Sequence, residues 1–385
     1  LAIAETSYKL VVAKGNGLEA SMGGAPSYGF STLREVIDFL EHPEQEAPLP
    51  QPDIDALLAA SADFDADFSE IKGQPEAKRA LEIAAAGGHN VIMIGSPGSG
   101  KTMLARALPS IMPPLAVEEC LECSKIHSAA GMLSAGRPLV TTRPFRAPHH
   151  TASQASLIGG GKNPSPGEIS LSHNGVLFMD EFPEYQKNVL EALRQPLEDG
   201  HVTISRVSGQ VTYPSNFLLV ASMNPCPCGY LNDPKHACTC SDASISRYQR
   251  KISGPLLDRF DIQLEVMPIA FGDLYDESTK EESSADVRAR VTAARRIQLA
   301  RFAGSGIYCN SNMRQADVNK YCSLDAASKK LLERAFEKFG ISARAHNRIL
   351  KLARTIADLD GSDAIASKHI AEAIQYRALD KSLWK

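Results

Sequence analysis

Eight consecutive residues, Gly95, Ser96, Pro97, Gly98, Ser99, Gly100, Lys101 and Thr102, carry the most specific chemistry in the sequence. Their spacing is G-x-x-x-x-G-K-[ST], a loop whose backbone N–H groups turn inward around phosphate oxygens. Lys101 is placed to reach the β- and γ-phosphates of ATP, and the Thr102 hydroxyl to ligate Mg²⁺. The context agrees. The apolar run Val91, Ile92, Met93, Ile94 before the loop suits a buried strand, and Met103 to Leu108 after it begin a helix. That helix N-terminus adds partial positive charge at the phosphates. A glycine-rich turn without a ligand has no need of Lys-Thr at this offset.

Downstream, Asp180 and Glu181 close a second apolar run, Val176 to Met179. Asp180 is expected to hold Mg²⁺ through its water shell, and Glu181 to orient or deprotonate the attacking water. Asn224, after the run Phe217 to Ser222, is placed to position the same water or touch the γ-phosphate; the competing reading is a turn former before Pro225. Arg259, within Leu256 to Asp261, reads either as an arginine exposed at a subunit boundary and offered to a neighbour's γ-phosphate, or as a surface ion pair with Asp258 or Asp261. Cys226, Cys228, Cys238 and Cys240 form two close pairs that suit Zn²⁺, although C-x-C is tighter than the usual C-x₂₋₄-C; reduced thiols in a loop are the alternative. His149 and His150 lack a third ligand and read as structural or polar contacts. Arg143, Arg146, Lys162 and Arg206 are candidate contacts to a DNA backbone if their loops line a pore, and otherwise ordinary solvated residues.

These residues need strands and helices to place them. The 385 residues allow two or three domains, and 43% hydrophobic with 22% charged residues is ordinary globular composition. No apolar run approaches the roughly 20 residues of a membrane helix, and no signal peptide is read; a cytoplasmic location is expected. With a net charge of −4, any nucleic-acid contact must come from local basic patches. Eight cysteines without a secretory signal point to reduced thiols or a metal. The first residue is Leu1 and a strand-like run follows at once, which reads as a fragment.

A strand near 9–13 and a helix near 31–40, with Leu33, Val36, Ile37 and Leu40 on one face, suggest the end of a small α/β unit. The proline-rich stretch at 42–54 marks a boundary. Residues 120–175, broken by Gly, Pro and His, read as an insertion outside the sheet. A helix at 185–197, a hairpin at 201–213 and the strand at 217–222 follow, and residues 269–284 are an acidic, Ser-rich second boundary. Strands mixed with helices, with the chemistry at strand C-termini, predict an open, mostly parallel sheet. From 285 onward the pattern is helical.

In this order the motifs resemble an AAA+ ATPase, and more narrowly the magnesium-chelatase-like ComM/YifB family. The resemblance is carried by Arg-Pro-Phe-Arg-Ala-Pro-His-His-Thr (143–151), Pro-Gly-Glu-Ile-Ser-Leu-Ser-His-Asn-Gly-Val-Leu-Phe (166–178) and Leu-Glu-Ala-Leu-Arg-Gln-Pro-Leu-Glu-Asp-Gly (190–200). Asn-Pro-Cys-Pro-Cys-Gly (224–229), Ser-Gly-Pro-Leu-Leu-Asp-Arg (253–259) and Arg-Ile-Leu-Lys-Leu-Ala-Arg-Thr-Ile-Ala-Asp-Leu-Asp-Gly (348–361) extend it.

The resemblance implies an α/β fold: an AAA+ P-loop core at 67–268 with a parallel sheet, a helix-two insertion at 158–170 and a pre-sensor β-hairpin at 201–213. A linker at 269–284 and an all-helical lid domain at 285–385 would follow, with a linker at 46–66 and a remnant of a Lon-protease-like N-terminal domain at 1–45 before it. By position it makes Lys101 and Thr102 the Walker A residues, Asp180 and Glu181 the Walker B pair, and Asn224 the first sensor. Arg259 becomes the arginine finger, and Arg344 the second sensor reaching the γ-phosphate from the lid. The implied function is a ring-forming ATPase, expected as a hexamer, acting on DNA as a branch-migration helicase in natural transformation. Two alternatives stand beside it: a chelatase-type motor driving metal insertion or remodelling a protein, and a DNA-binding scaffold that hardly hydrolyses ATP. Glu181 weighs against the scaffold.

Overall fold

The computed structural model describes residues 8–51, 53, 64–133, 139–161, 164–206, 209–269, 272, 281–339 and 343–377. Most of the two expected linkers, including 54–63 and 273–280, therefore lies outside the described residues. Two compact units emerge, residues 1–62 with 115–142 and residues 63–114 with 143–385.

In the first unit, strands β1 (Leu10–Ala13) and β2 (Ser27–Phe30) pair in parallel. The helix Leu33–Glu41 starts at a capping box in which the Thr32 hydroxyl accepts the Glu35 N–H and the Glu35 carboxylate accepts the Thr32 N–H. Its inward residue is Phe39, packed on Tyr28 and Phe30, whereas Leu33, Ile37 and Leu40 are exposed, contrary to the expected apolar face. Two short strands offer little apolar surface, and the aromatic ring, which buries the most area, takes it. Residues 115–142 lie outside the five-stranded sheet, as an insertion would, and belong to this unit. Their helix, Val117–Ala129, buries Cys120 and Cys123, which cluster with Met22, Leu115 and Leu139. Cysteine, serine and histidine on that helix dilute the apolar period by which a sequence declares a helix.

The second unit contains β3 (Val91–Ile94), β4 (Phe145–Arg146), β5 (Gly159–Gly160), β6 (Ser165–Pro166), β7 (Val176–Met179), β8 (His201–Arg206), β9 (Gly209–Pro214), β10 (Leu218–Met223) and β11 (Ile262–Glu265). Five of these form one parallel sheet in the order β11-β3-β10-β7-β4. Phe145–Arg146, read from sequence as insertion, is its edge strand, paired with Val176 and Leu177. Two residues flanked by prolines are too few to show a strand period. Side chains alternate across the sheet. Val91, Met93, Val176, Phe178, Leu218 and Val220 face one core. Ile92, Ile94, Leu177, Met179, Leu219 and Ala221 face the other. Continuous apolar strands covered on both faces are what a parallel sheet requires.

β5 and β6 form a small antiparallel ribbon, and β8 and β9 a longer hairpin. The helix expected at 185–197 is two, Lys187–Ala192 and Arg194–Asp199, with Pro196 removing an amide donor early in the second. The C-terminal helices Ser284–Arg301, Gln315–Tyr321, Ala326–Phe339, Ala343–Leu359 and Ser367–Gln375 follow. Val291, Ile349, Leu352 and Ile356 from them share the first core with Leu81 and Ala84 of the helix Pro75–Gly87. Among the described residues no helix is long and apolar enough to cross a membrane.

Candidate nucleotide site

Strands of a parallel sheet all end at the same edge, so β3, β7 and β10 deliver Gly95, Asp180 and Asn224 to neighbouring positions there. The Lys101 ammonium, 8% exposed, donates to the carbonyls of Gly95 at 2.7 Å and Ser96 at 2.9 Å, and lies 3.5 Å from Asn224 Oδ1. Burial lowers its pKa, and the Asp180 charge opposes that shift. Thr102 Oγ1 donates to Asp180 Oδ2 at 3.1 Å. The Ser222 hydroxyl and the Glu181 N–H hold the other Asp180 oxygen. Glycine is required at 95 because a Cβ there would lie 2.2 Å from the Val266 carbonyl oxygen, and at 100 because φ is +92°.

Thr102 and Asp180 present two hard oxygens with the spacing of adjacent ligands on Mg²⁺, since Mg–O bonds of about 2.1 Å place neighbouring ligands roughly 3 Å apart. Glu181 is held differently. Its backbone is left-handed (φ 51°), and its carboxylate meets His150 Nδ1 at 3.0 Å. His150 stacks on His149 at 4.1 Å between ring centroids, and the His149 ring pairs with the Thr151 hydroxyl. The histidine pair is thus a polar contact, as its sequence suggested, but one made to the candidate water-activating acid.

Three partners in this site escaped the sequence reading. Gln74, also left-handed (φ 58°), donates from its side chain to the Ser99 carbonyl at 3.3 Å and the Met267 carbonyl at 2.6 Å. Ser222 is a buried polar residue in an otherwise apolar strand, which is the one signal that could have marked it. Asp233 lines one cleft with Ser96 of the phosphate loop, whose side chain helps to hold its carboxyl pKa low; nothing local announces that proximity.

Arg259 lies elsewhere. Its carbonyl accepts from Asn90 Nδ2 at 3.0 Å, and the Asn90 carbonyl accepts from Asp261 and Ile262 N–H. Arg259 therefore sits where β3 and β11 begin, a strand length of roughly 13 Å from the edge that holds Lys101. It was expected to be exposed, yet it is 6% exposed, bonded to the Pro255 carbonyl at 2.7 Å and ion-paired with Glu198. Asp261 is occupied by His89 and Arg348 instead. Arg344 opens the helix Ala343–Leu359, one turn before Arg348, whose guanidinium bonds Asp261 at 2.7 Å.

Of the basic residues, Arg143 donates to the carbonyls of Pro113, Pro114 and Asn174, and Arg146 forms a bidentate pair with Glu168 at 2.6 and 2.8 Å. Both guanidinium groups are engaged in these contacts within the fold. Lys162 lies outside the described residues, and Arg206 ends β8. The four cysteines, 226, 228, 238 and 240, are brought together, with all four sulfurs within 4.8 Å of one another.

Comparison with known families agrees with this geometry. The family model for magnesium chelatase, subunit ChlI, matches residues 67–274, and that for the ChlI C-terminal region matches 281–377. The chain is similar to competence protein ComM of Haemophilus influenzae, 42% identical over 387 residues that cover 100% of this chain and 74% of the relative. Similarity to YifB of Escherichia coli is 42% over 377 residues, covering 97% of this chain and 72% of YifB. A more distant relative is the magnesium-chelatase 38 kDa subunit of Rhodobacter capsulatus, 24% identical over 79% of this chain and 84% of that subunit. The chain belongs to the magnesium-chelatase-like ComM/YifB family of AAA+ ATPases.

Proposed function

We propose that the chain is the subunit of a cytoplasmic ring, a hexamer, that hydrolyses ATP with Mg²⁺ to move DNA, with the branch-migration helicase role implied for ComM-like proteins. Residues 67–268 serve as its nucleotide-binding core and 285–385 as its lid. One observation carries the reading. Lys101 and Arg259 lie at opposite edges of one sheet, so a single chain cannot place both on the same triphosphate. Lys101 and the backbone amides of residues 95–102 bind the phosphates. Thr102 and Asp180 hold Mg²⁺, which offsets phosphate charge. Glu181 takes the proton of the attacking water, and Asn224 orients it. Arg344 reaches the γ-phosphate from the lid, and Arg259, released from Glu198, reaches the one bound by a neighbouring subunit, where an arginine finger is worth about 10³–10⁵ in rate.

Lys162 and Arg206 are the proposed DNA contacts. A chelatase-type motor that remodels a protein or drives metal insertion is the second reading, favoured by the 24% identity to the chelatase subunit. Steady-state ATPase with and without forked or single-stranded DNA separates the two. The first expects stimulation, with a Lys162→Ala/Arg206→Ala variant losing it while keeping the basal rate. A flat response across all DNA types would sink the DNA reading.

A further inference from the structure

We propose that Cys226, Cys228, Cys238 and Cys240 bind one Zn²⁺ ion, and that the loop closed by this metal braces the phosphate loop in its nucleotide-binding shape. The second clause rests on the nucleotide-site reading above; the first stands without it. Cys226 Sγ lies 3.4 Å from Cys228 Sγ and 3.7 Å from Cys238 Sγ, and Cys228 Sγ lies 3.6 Å from Cys238 Sγ. Tetrahedral Zn–S bonds of about 2.3 Å require sulfurs roughly 3.8 Å apart, whereas a disulfide brings them to about 2.05 Å. The observed spacing is that of a ligand set. The tight C-x-C pairs are no obstacle, because each arm of the loop contributes two sulfurs that meet across it. Backbone amides supply outer support: Cys228 N–H points to Cys240 Sγ at 3.4 Å and Cys240 N–H to Cys238 Sγ at 3.5 Å. Four soft thiolates select zinc over magnesium, so this site is chemically separate from the Thr102–Asp180 pair.

The same loop touches the nucleotide site at three points. It begins two residues after Asn224, whose Oδ1 faces the Lys101 ammonium. Gly229 (φ +87°) lies flat on Pro97, where a Cβ would come within 2.7 Å of the proline ring. Asp233 lies close to the Ser96 side chain, which helps to hold its carboxyl pKa low, and is fixed by the N–H groups of Lys235 and His236, both at 2.9 Å. Leu231, Asp233 and Pro234 line a shallow cleft together with Gly95 and Ser96. Residues 224–241 contain no helix or strand, so nothing in their own backbone ladder holds this fit. Ordering so many residues costs about 1–2 kcal/mol each, and a metal that joins the two arms removes much of that freedom beforehand.

The test measures metal and nucleotide separately on the full chain. Elemental analysis should find one zinc per chain, and Co²⁺ exchanged into the site should give the intense visible absorption of a tetrahedral tetrathiolate, lost in a Cys238→Ser/Cys240→Ser variant. Affinity for a fluorescent non-hydrolysable ATP analogue should fall about tenfold or more on chelation and return with zinc, the range typical of disrupted outer-shell support. Gly229→Ala should keep the metal and show the same loss, since it displaces the loop from Pro97 without touching a ligand. Absence of both zinc and the cobalt spectrum overturns the metal site. Metal held, with nucleotide affinity unmoved by chelation and by Gly229→Ala, overturns the bracing. A wild-type chain that holds metal yet binds no nucleotide overturns the nucleotide reading and the bracing with it, while the metal site stands.

Discussion

Glu181 occupies a left-handed backbone position that costs a non-glycine residue on the order of 1–3 kcal/mol. The strain turns its carboxylate away from the strand direction and onto His150 Nδ1, 3.0 Å away. A carboxylate engaged there must leave the imidazole before it can take a proton from water. His150→Ala should therefore raise ATP turnover without DNA about two- to fivefold, since a partly exposed ion-pair contact is worth roughly 0.2–1 kcal/mol. Phosphate release under steady state measures this, and an unchanged basal rate would show that the imidazole does not restrain the acid. Glu181→Gln should bind ATP with wild-type affinity yet turn it over about 10²–10⁴ times more slowly. Normal turnover in that variant would move the general base elsewhere.

The start of β11 is clamped by elements far apart in sequence. Asp261 accepts from Arg348 Nη1 at 2.7 Å and pairs with His89 Nδ1 at 3.2 Å, while Arg377 donates to the Phe260 carbonyl. Burial alone pushes the Asp261 carboxyl up, but Arg348, His89 and Lys351 outweigh it and hold its pKa well below the usual carboxylate range. Its stabilising contribution is therefore complete above the unfolded carboxyl pKa of about 3.9 and is lost as pH falls toward the depressed folded value. Asp261→Asn leaves the Arg348 charge without its partner and should cost about 3–5 kcal/mol in urea unfolding at neutral pH. A loss below 1 kcal/mol would mean that this clamp is not what seats the helix Ala343–Leu359 on the strand. Because Arg259 lies two residues earlier, the same clamp also sets where its guanidinium starts.

For the whole molecule, the separation of Lys101 from Arg259 across one sheet bears on the proposed assembly. In that proposal each chain carries half of a hydrolytic site at either edge, and closing a ring would bring unlike halves together. Arg259→Ala and Lys101→Ala should each abolish ATPase alone. Mixed, they should recover part of it, because some interfaces pair an intact phosphate loop with an intact guanidinium. Absence of recovery at any mixing ratio would argue for action within one chain. Size measurement with and without a non-hydrolysable ATP analogue should show the nucleotide driving assembly.

The phosphate loop, the acids after Met179 and the strands carrying them were legible because each depends on neighbours in sequence: apolar runs make buried strands, and glycines make the loop between strand and helix. Helix Val117–Ala129 and strand Phe145–Arg146 were not, because one lacks an apolar period and the other is too short to show one. Pairings such as His150 with Glu181, Arg259 with Glu198, and Ser222 with Asp180 join residues whose spacing carries no rule. The meeting of four sulfurs and the placement of Arg259 opposite Lys101 were likewise decided only in three dimensions. Local sequence sets which groups exist and which backbone shapes they favour, while packing of the sheet against its two cores decides which of those groups meet.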